Sequence, residues 1–283
     1  MAWTTIGLAA AAGFGAVVAE NKVFAVIISG VTGLVCTLIA ARHTRAAVSS
    51  SLILVIFTIY VGHPKPTDAV FSGIVLILLG GFLQTLSCIV MRSLFKRRYQ
   101  PLQVMHQSKG IAPSNASDIN MRHAIRLSII LMVATAISET SGEAHQYWLP
   151  MSVAWMSRVT LDDTFNRVIH RLLGTLLGLG AISLILQFRD LYYNDWLVVS
   201  LLGGGLSIAY NWVNYAAAVI GGTLWIIAAF AILGDPVINT LVERMLETSL
   251  AAALVLGAAW IDHGMNGTLS VEACSDAVQR NET

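Results

Sequence analysis

A cluster of ionisable side chains lies between two apolar runs of this chain, within residues 147–178. An apolar run at residues 147–156 is followed by a polar stretch, and then by a run that contains small residues. Charged groups inside an apolar protein are costly unless they have a function or lie at the membrane surface. We therefore expect this segment to carry the chain's chemistry. Its ionisable residues include Arg158, Asp162, Asp163, Arg167, His170 and Arg171.

Arg167 and Arg171 are four residues apart, which places both on one face of a helix. A guanidinium group presents a planar fork of donors that matches a carboxylate, so the pair predicts a binding site for an organic anion. Arg158 and Arg244 join them as candidate substrate contacts. The alternative interpretation is that the arginines are topology anchors, whose side chains extend to the lipid headgroups.

Aromatic residues flank the short apolar run. Tyr147 and Trp148 begin it, and Trp155 lies near its end. We consider Tyr147 and Trp148 as candidates for stacking on an aromatic substrate, and the interfacial aromatic belt is the alternative. Pro150 lies near the first turn of the run, where a helix tolerates proline, or it marks a broken helix.

Two carboxylates, Glu139 and Glu247, are candidates for proton coupling, a role that acidic groups within membrane segments often have. Glu139 lies beside an apolar run, and the alternative is an ordinary solvated loop residue. Glu247 follows Arg244 by three residues, so the two can form a structural pair or a proton relay on one helix face. For Asp162 and Asp163 we predict structural ion pairs with neighbouring arginines.

Three small residues, Gly174, Thr175 and Gly178, begin the run that follows the charged segment. The spacing of the two glycines is G-x-x-x-G, which lets two membrane helices approach each other closely. We therefore predict that these residues serve helix packing.

The sequence contains no other pattern of site chemistry. It has no hydrolase triad pattern, no phosphate-binding glycine loop and no pair of histidines or cysteines at metal-ligand spacing. We therefore predict that the protein is not an enzyme and that it uses no cofactor and no metal. Cys36, Cys88 and Cys274 are far apart, which predicts no disulfide framework. The net charge of +1 provides no basic field for nucleic acid.

The elements that position these residues are apolar helices. The chain is 56% hydrophobic and 12% charged, with a mean hydropathy of +0.71, whereas soluble domains carry roughly 25% charged residues. This composition predicts an all-α polytopic membrane helix bundle that is surrounded by the lipid bilayer. About ten spans, several of them short, are predicted at residues 3–19, 23–41, 46–61, 69–91, 125–138, 147–157, 172–188, 196–210, 215–233 and 246–261.

The distribution of lysine and arginine predicts the orientation. Seven basic residues lie between positions 92 and 126, so this stretch is expected to face the cytoplasm. Counting spans from it places both termini in the cytoplasm and the segments around Lys22 and Glu139 outside. The predicted domains are a partial N-terminal membrane repeat at residues 1–91, a basic cytoplasmic linker at 92–120, a second membrane domain at 121–262 and a polar cytoplasmic tail at 263–283.

The first four spans resemble the last four, which predicts two related repeats. Asn21-Lys22 and Asn194-Asp195 each precede a glycine-rich span, and a span rich in β-branched residues follows each of these. A short loop with a proline then leads to a closing span, at residues 62–64 and 234–236. Such repeats are common in transporters, whose substrate sites lie near the interface between repeats. On this alignment the N-terminal repeat is expected to be truncated by two helices.

The residues between Tyr147 and Gly178, together with those around Arg244, resemble a known signature. It is that of the fusaric acid resistance and aromatic acid exporter family of FUSC-like integral membrane transporters. The resemblance extends over about residues 121–261. Ala251 stands where the family pattern has glycine, and the linker is smaller than the cytoplasmic domain of many members. The matching elements are Tyr147-Trp148…Pro150, Thr164…Arg167…Arg171…Gly174-Thr175…Gly178 and Arg244…Glu247-Thr248.

The resemblance implies proton-coupled efflux of small aromatic or amphipathic organic acids across the cytoplasmic membrane. It implies a small organic anion as substrate and a periplasmic adaptor protein as partner, and a homo-oligomer is the other assembly that we consider. Two alternatives stay open. One is a passive anion channel of related architecture, and the other is a half-transporter or membrane assembly subunit that does not transport by itself.

Overall fold

The computed structural model describes residues 2–42, 44–62, 66–94, 116–142, 145–188, 191–211 and 213–281, and these ranges form α-helices without a β-strand. The predicted all-α bundle is therefore confirmed. The ten helices of these ranges are α1 (Ala2–Val18), α2 (Lys22–Arg42), α3 (Thr44–Val61), α4 (Thr67–Leu94), α5 (Ala116–Ser141), α6 (Trp148–Met156), α7 (Leu161–Phe188), α8 (Tyr193–Tyr210), α9 (Tyr215–Leu233) and α10 (Val237–Asn281).

Six of the described helices, α2, α4, α5, α7, α9 and α10, are long and apolar enough to cross a membrane. The short apolar run became α6, which has nine residues. At 1.5 Å per residue α6 is about 14 Å long, about half of the roughly 30 Å that a full span covers. The predicted number of helices is thus correct, whereas α6 is too short to span the bilayer by itself.

Several helices extend beyond the apolar windows that predicted them. α7 begins at Leu161 rather than at residue 172, so the charged residues from Asp162 to Arg171 lie on its first three turns. α10 continues to Asn281 through the segment predicted as a polar tail. A helix satisfies its own backbone hydrogen bonds in water as well as in lipid, so hydropathy locates only its apolar part. Most of the predicted linker, residues 95–115, lies outside the described residues.

Met1–Trp155 form one compact unit, in which α1 and α3 run parallel. The hydroxyl groups of Thr4 and Ser49, near the starts of these helices, are hydrogen-bonded at 2.9 Å. Further along, a side chain at Gly15 would meet the main chain of Phe57. The buried residues that fill this part of the unit are Ala11, Val18, Ala25, Phe57 and Val61.

In the same unit α2 packs antiparallel to α5. The Ser128 hydroxyl donates to the carbonyl oxygen of Gly30 at 2.8 Å. At the other end of α5, the Lys22 ammonium donates to the carbonyl oxygen of Glu139 at 2.7 Å. The two segments that the charge pattern predicts on the same side of the membrane therefore lie next to each other.

Met156–Thr283 form the second compact unit. Its apolar core combines Leu179 and Ile182 of α7 with Ile227 and Ala228 of α9, and the first turns of α10 pack against this cluster. Because the start of α10 lies beside the later parts of α7 and α9, α10 runs antiparallel to both. Each unit contains the same four-helix arrangement, in which the first helix packs against the third and fourth and the second packs against the third. This arrangement agrees with the predicted repeat.

Candidate functional site

The first turn of α7 is fixed by its own side chains. The main-chain N–H of Asp163 donates to the Thr160 hydroxyl at 3.1 Å, and that hydroxyl donates to the Asp163 carboxylate at 2.8 Å. The Thr160 side chain therefore caps the start of α7. The buried Thr164 hydroxyl bonds to the carbonyl oxygens of Thr160 and Arg158, at 2.7 and 3.1 Å. These bonds hold the segment before α7 in place and thereby position Arg158.

Arg167 and Arg171 meet Tyr215, the first residue of α9. The Cζ atom of Arg167 lies 3.2 Å from the centroid of the Tyr215 ring, in a cation–π contact. The Nη1 atom of Arg171 donates to the Tyr215 hydroxyl at 3.3 Å. Arg158 lies close enough to interact electrostatically with both Tyr215 and Arg167. We call these four residues the arginine–tyrosine site.

Tyr215 was missed by sequence reasoning. It lies 44 residues from Arg171 along the chain, and a tyrosine at the start of an apolar span is usually assigned to the interfacial belt. The sequence pattern that predicted the site was the spacing of two arginines on one helix, and this pattern gives no information about a residue on another helix. Only the packing of α9 against α7 shows which aromatic ring those arginines reach.

α7 and α9 approach each other closely at two glycines of α7. A Cβ atom at Gly174 would lie 2.7 Å from the carbonyl oxygen of Ala216, and one at Gly178 would lie 2.8 Å from the Cβ atom of Thr223. Together with the contact of Arg171 with Tyr215, these neighbours show that α7 and α9 run parallel. The role of Gly174, Thr175 and Gly178 in packing stays a prediction, and the glycine positions are where that prediction is testable.

The charges of the arginine–tyrosine site favour an anion. Burial lowers the pKa of the Arg158 guanidinium below its ordinary value, and the neighbouring Tyr215 and Asp163 act in the opposite direction. An arginine nevertheless stays protonated at neutral pH. Arg158 and Arg171 both repel Arg167 electrostatically. A carboxylate placed among these groups would relieve that repulsion and accept hydrogen bonds from the guanidinium forks.

Asp163 also serves the local structure. Its carboxylate accepts the Thr160 bond and its charge acts on Arg158, while Asp162 is exposed. The two aspartates therefore lie at the start of α7, where negative charge is stabilised by the helix dipole.

The second charged element, Arg244 and Glu247, lies on α10 and apart from the arginine–tyrosine site. Arg244 is 3% exposed. Its neighbours Leu241 and Met245 pack against the cluster of Leu179 and Ile182. Since those two residues lie eight to eleven positions beyond Arg171, Arg244 lies beside a later part of α7 than Arg171 does.

The aromatic candidates of the first unit pack against the protein. Trp148 is 1% exposed, and its ring stacks on His145 with the centroids 4.4 Å apart. Tyr147 is half-buried and lies edge-on to Trp148. A Cβ atom at Gly62 would lie 2.8 Å from the Tyr147 main chain. Trp148 thus lies in the interior of its unit, and a substrate contact for either residue stays a prediction.

Glu139 is 9% exposed, near the end of α5. Lys22 lies beside it and bonds to its carbonyl oxygen. At the other end of α5, Arg126 is hydrogen-bonded to His123 at 3.1 Å, and both are buried. Sequence reasoning counted Arg126 only as part of the basic stretch. In the part of the chain that the structure describes, no cluster of histidine, cysteine and acidic residues could hold a metal ion.

The sequence of this chain is similar to those of several known proteins. A family model described as fusaric acid resistance protein-like matches residues 133–258. Inner membrane protein YccS of Escherichia coli K12 is 28% identical over 151 residues, which are 53% of this chain and 20% of that protein. The uncharacterized protein slr1298 of Synechocystis is 27% identical over 144 residues, 50% of this chain and 18% of that protein.

An uncharacterized protein of Haemophilus influenzae is 29% identical over 137 residues, 47% of this chain and 18% of that protein. The matched part of the chain thus spans about a fifth of the length of these curated relatives. No solved structure matches the chain.

Proposed function

We propose that this membrane protein, whose residues 133–258 match the fusaric acid resistance protein-like family as the resemblance predicted, is a multi-pass transporter of the cytoplasmic membrane. It exports small aromatic or amphipathic organic acids in exchange for protons, and it moves its substrate without chemical conversion. The name of the Escherichia coli relative, an inner membrane protein, supports this location. Orientation follows the charge pattern, with the start of α7 facing the cytoplasm.

The observation that carries this proposal is the convergence of three arginines on Tyr215. Arg167 covers the ring and Arg171 donates to its hydroxyl, so both guanidinium groups are held by the same residue. A carboxylate would bind between them, because an arginine fork offers two parallel donors. The Tyr215 hydroxyl accepts from Arg171, and a phenol hydroxyl can also donate a hydrogen bond to the same carboxylate.

The proton would be carried by a carboxylate within the bundle. Glu139, buried near the end of α5, and Glu247, half-buried on α10, are the two candidates. Both lie in helices that are long and apolar enough to cross a membrane, and acidic groups in such segments often carry protons. Replacing each glutamate by glutamine distinguishes the two candidates, because only replacement of the coupling residue would uncouple export from the proton gradient.

The test is export of labelled benzoate from loaded cells, with Arg167→Ala/Arg171→Ala compared with the unaltered chain at equal membrane abundance. Each arginine contributes a charged hydrogen bond worth roughly 1.5–3 kcal/mol, so export at low substrate should fall at least about tenfold. Arg42→Ala is the matched control, because Arg42 is exposed at the end of α2 and lies outside the site. It should export at the unaltered rate.

Three results would contradict parts of the proposal. Equal export by the double variant would reduce Arg167 and Arg171 to topology anchors. Export that persists after the proton gradient collapses would favour the passive channel. Export by neither chain would favour the assembly subunit, and purification of the chain in complex with a second membrane protein would support that alternative.

A further inference from the structure

Three buried threonines of the second unit have hydroxyl groups that no described residue binds. Thr175 of α7, Thr223 of α9 and Thr248 of α10 are each 2% exposed or less. Their Oγ1 atoms have no hydrogen-bond partner among the residues that the structure describes. The three helices pack against one another, and we call the region in which they meet the helix junction.

This pattern is unusual because a threonine in a helix has a partner within reach, the carbonyl oxygen one turn earlier. Other threonines of this chain use it. Thr37 donates to Gly33 at 2.8 Å, and Thr240 donates to Pro236 at 3.0 Å. A buried hydroxyl without a partner is destabilising, so three of them at one junction point to a group that they bind.

The three hydroxyls lie at a similar level along the helices. Gly178 packs against Thr223, and Thr175 precedes Gly178 by less than one turn. α10 runs antiparallel to α7, with Met245 beside the cluster that contains Leu179. Thr248 follows Met245 by three residues, and this moves it towards the level of Thr175.

Two buried arginines lie on opposite sides of this level. Arg171 precedes Thr175 by four residues on α7, and Arg244 precedes Thr248 by four residues on α10. Because the two helices are antiparallel, the same spacing places the guanidinium groups at opposite ends of the threonine cluster. Arg171 is 7% and Arg244 is 3% exposed. Both arginines and the three hydroxyls supply hydrogen-bond donors.

We propose that Thr175, Thr223 and Thr248 form an inner site, flanked by Arg171 and Arg244, that binds the carboxylate of an organic anion. This inference rests on the proposed export function and extends it, because it places a second binding position deeper along α7 than the arginine–tyrosine site. Arg171 borders both positions. A carboxylate that leaves Arg167 and Tyr215 would therefore pass to the threonine hydroxyls without losing its contact with a guanidinium group.

The test measures benzoate binding to the full chain in lipid nanodiscs by titration calorimetry. Arg167→Ala serves as the background, because it removes the cation over Tyr215 and keeps every residue of the inner site. In this background, Thr223→Val and Thr248→Val should each weaken benzoate binding about tenfold, as loss of a hydrogen bond to a charged group does. Valine has nearly the same shape as threonine, so the packing is retained.

Two controls accompany the variants. Thr240→Val makes the same change on the same buried stripe of α10, but its hydroxyl is bound by Pro236, so benzoate binding should change less than twofold. Benzyl alcohol has the ring of benzoate without its charge. It should show no dependence on Thr223 or Thr248.

Unchanged benzoate binding in Thr223→Val and Thr248→Val would overturn the inner site, and the hydroxyl groups would then bind water. Loss of all binding in Arg167→Ala would overturn it too. If the nanodisc protein bound no benzoate while cells still exported it, the inner site would be refuted and the export function would stand. Threonine-dependent binding without cellular export would support the site and refute the transporter.

Discussion

Replacement of Gly174 by alanine tests the close approach of α7 to α9. The new Cβ atom would lie 2.7 Å from the carbonyl oxygen of Ala216 and 2.7 Å from the Cβ atom of Val219. Carbon and carbonyl oxygen in ordinary contact are about 3.3–3.6 Å apart, so α9 would have to retreat by roughly 0.6–0.9 Å. The Ala216 oxygen is a main-chain atom of a helix and cannot turn aside as a flexible side chain would.

The expected loss of stability combines two opposing terms. Overpacking of this kind costs about 1–3 kcal/mol, while alanine gains about 1 kcal/mol over glycine in helix propensity. Gly180→Ala is the matched control, because it lies on the same helix and a Cβ atom there meets nothing within 4 Å. Because the control shows the gain in helix propensity alone, the unfolding temperature of Gly174→Ala should be about 2–10 °C lower than that of Gly180→Ala.

The same displacement should affect binding. Tyr215 directly precedes Ala216, so a retreat of α9 moves the tyrosine away from Arg167 and Arg171. Thermal unfolding of the purified variants in detergent gives the stability difference, and benzoate titration gives the binding difference. If Gly174→Ala is as stable as Gly180→Ala and binds benzoate equally well, the argument that glycine sets the spacing of α7 and α9 is refuted.

Two further perturbations have definite outcomes. Tyr215→Phe keeps the ring under Arg167 but removes the acceptor of Arg171. Benzoate export at low substrate should therefore fall about fivefold, which corresponds to roughly 1 kcal/mol. The control is Tyr192→Phe, which should export normally because Tyr192 is 73% exposed at the start of α8. Equal loss of export in both variants would contradict the site. Gly234 ends α9 with φ of 95°, so Gly234→Ala should lower stability by about 1–2 kcal/mol. Gly205→Ala, with open space around it, should be neutral or stabilising in the same unfolding experiment, and the reverse order would contradict the conformational argument.

The helices of this protein were predictable because the relevant physics is local. In lipid every backbone polar group needs a partner within the protein, so a long apolar run must be helical wherever it packs. The family resemblance was also a local property, since its motifs lie within residues 147–178 and 244–248. Helix ends were less predictable, as at α7 and α10, because polar first and last turns remain helical outside the apolar window.

The pairing of Arg167 and Arg171 on one helix face follows from a four-residue spacing and was determined by the sequence alone. The aromatic residue that both arginines contact was not determined by the sequence alone. Tyr215 reaches them only because α9 runs parallel to α7 and because glycine at position 174 lets the two backbones meet.

The displacement of Arg244 from Arg171 was likewise decided by the antiparallel placement of α10. The physical reason is that helix formation depends on neighbours a turn away. Packing, in contrast, depends on surfaces contributed by residues far apart in the chain, such as Arg171 and Tyr215, which are 44 positions apart. No local pattern in the sequence describes how such surfaces fit together.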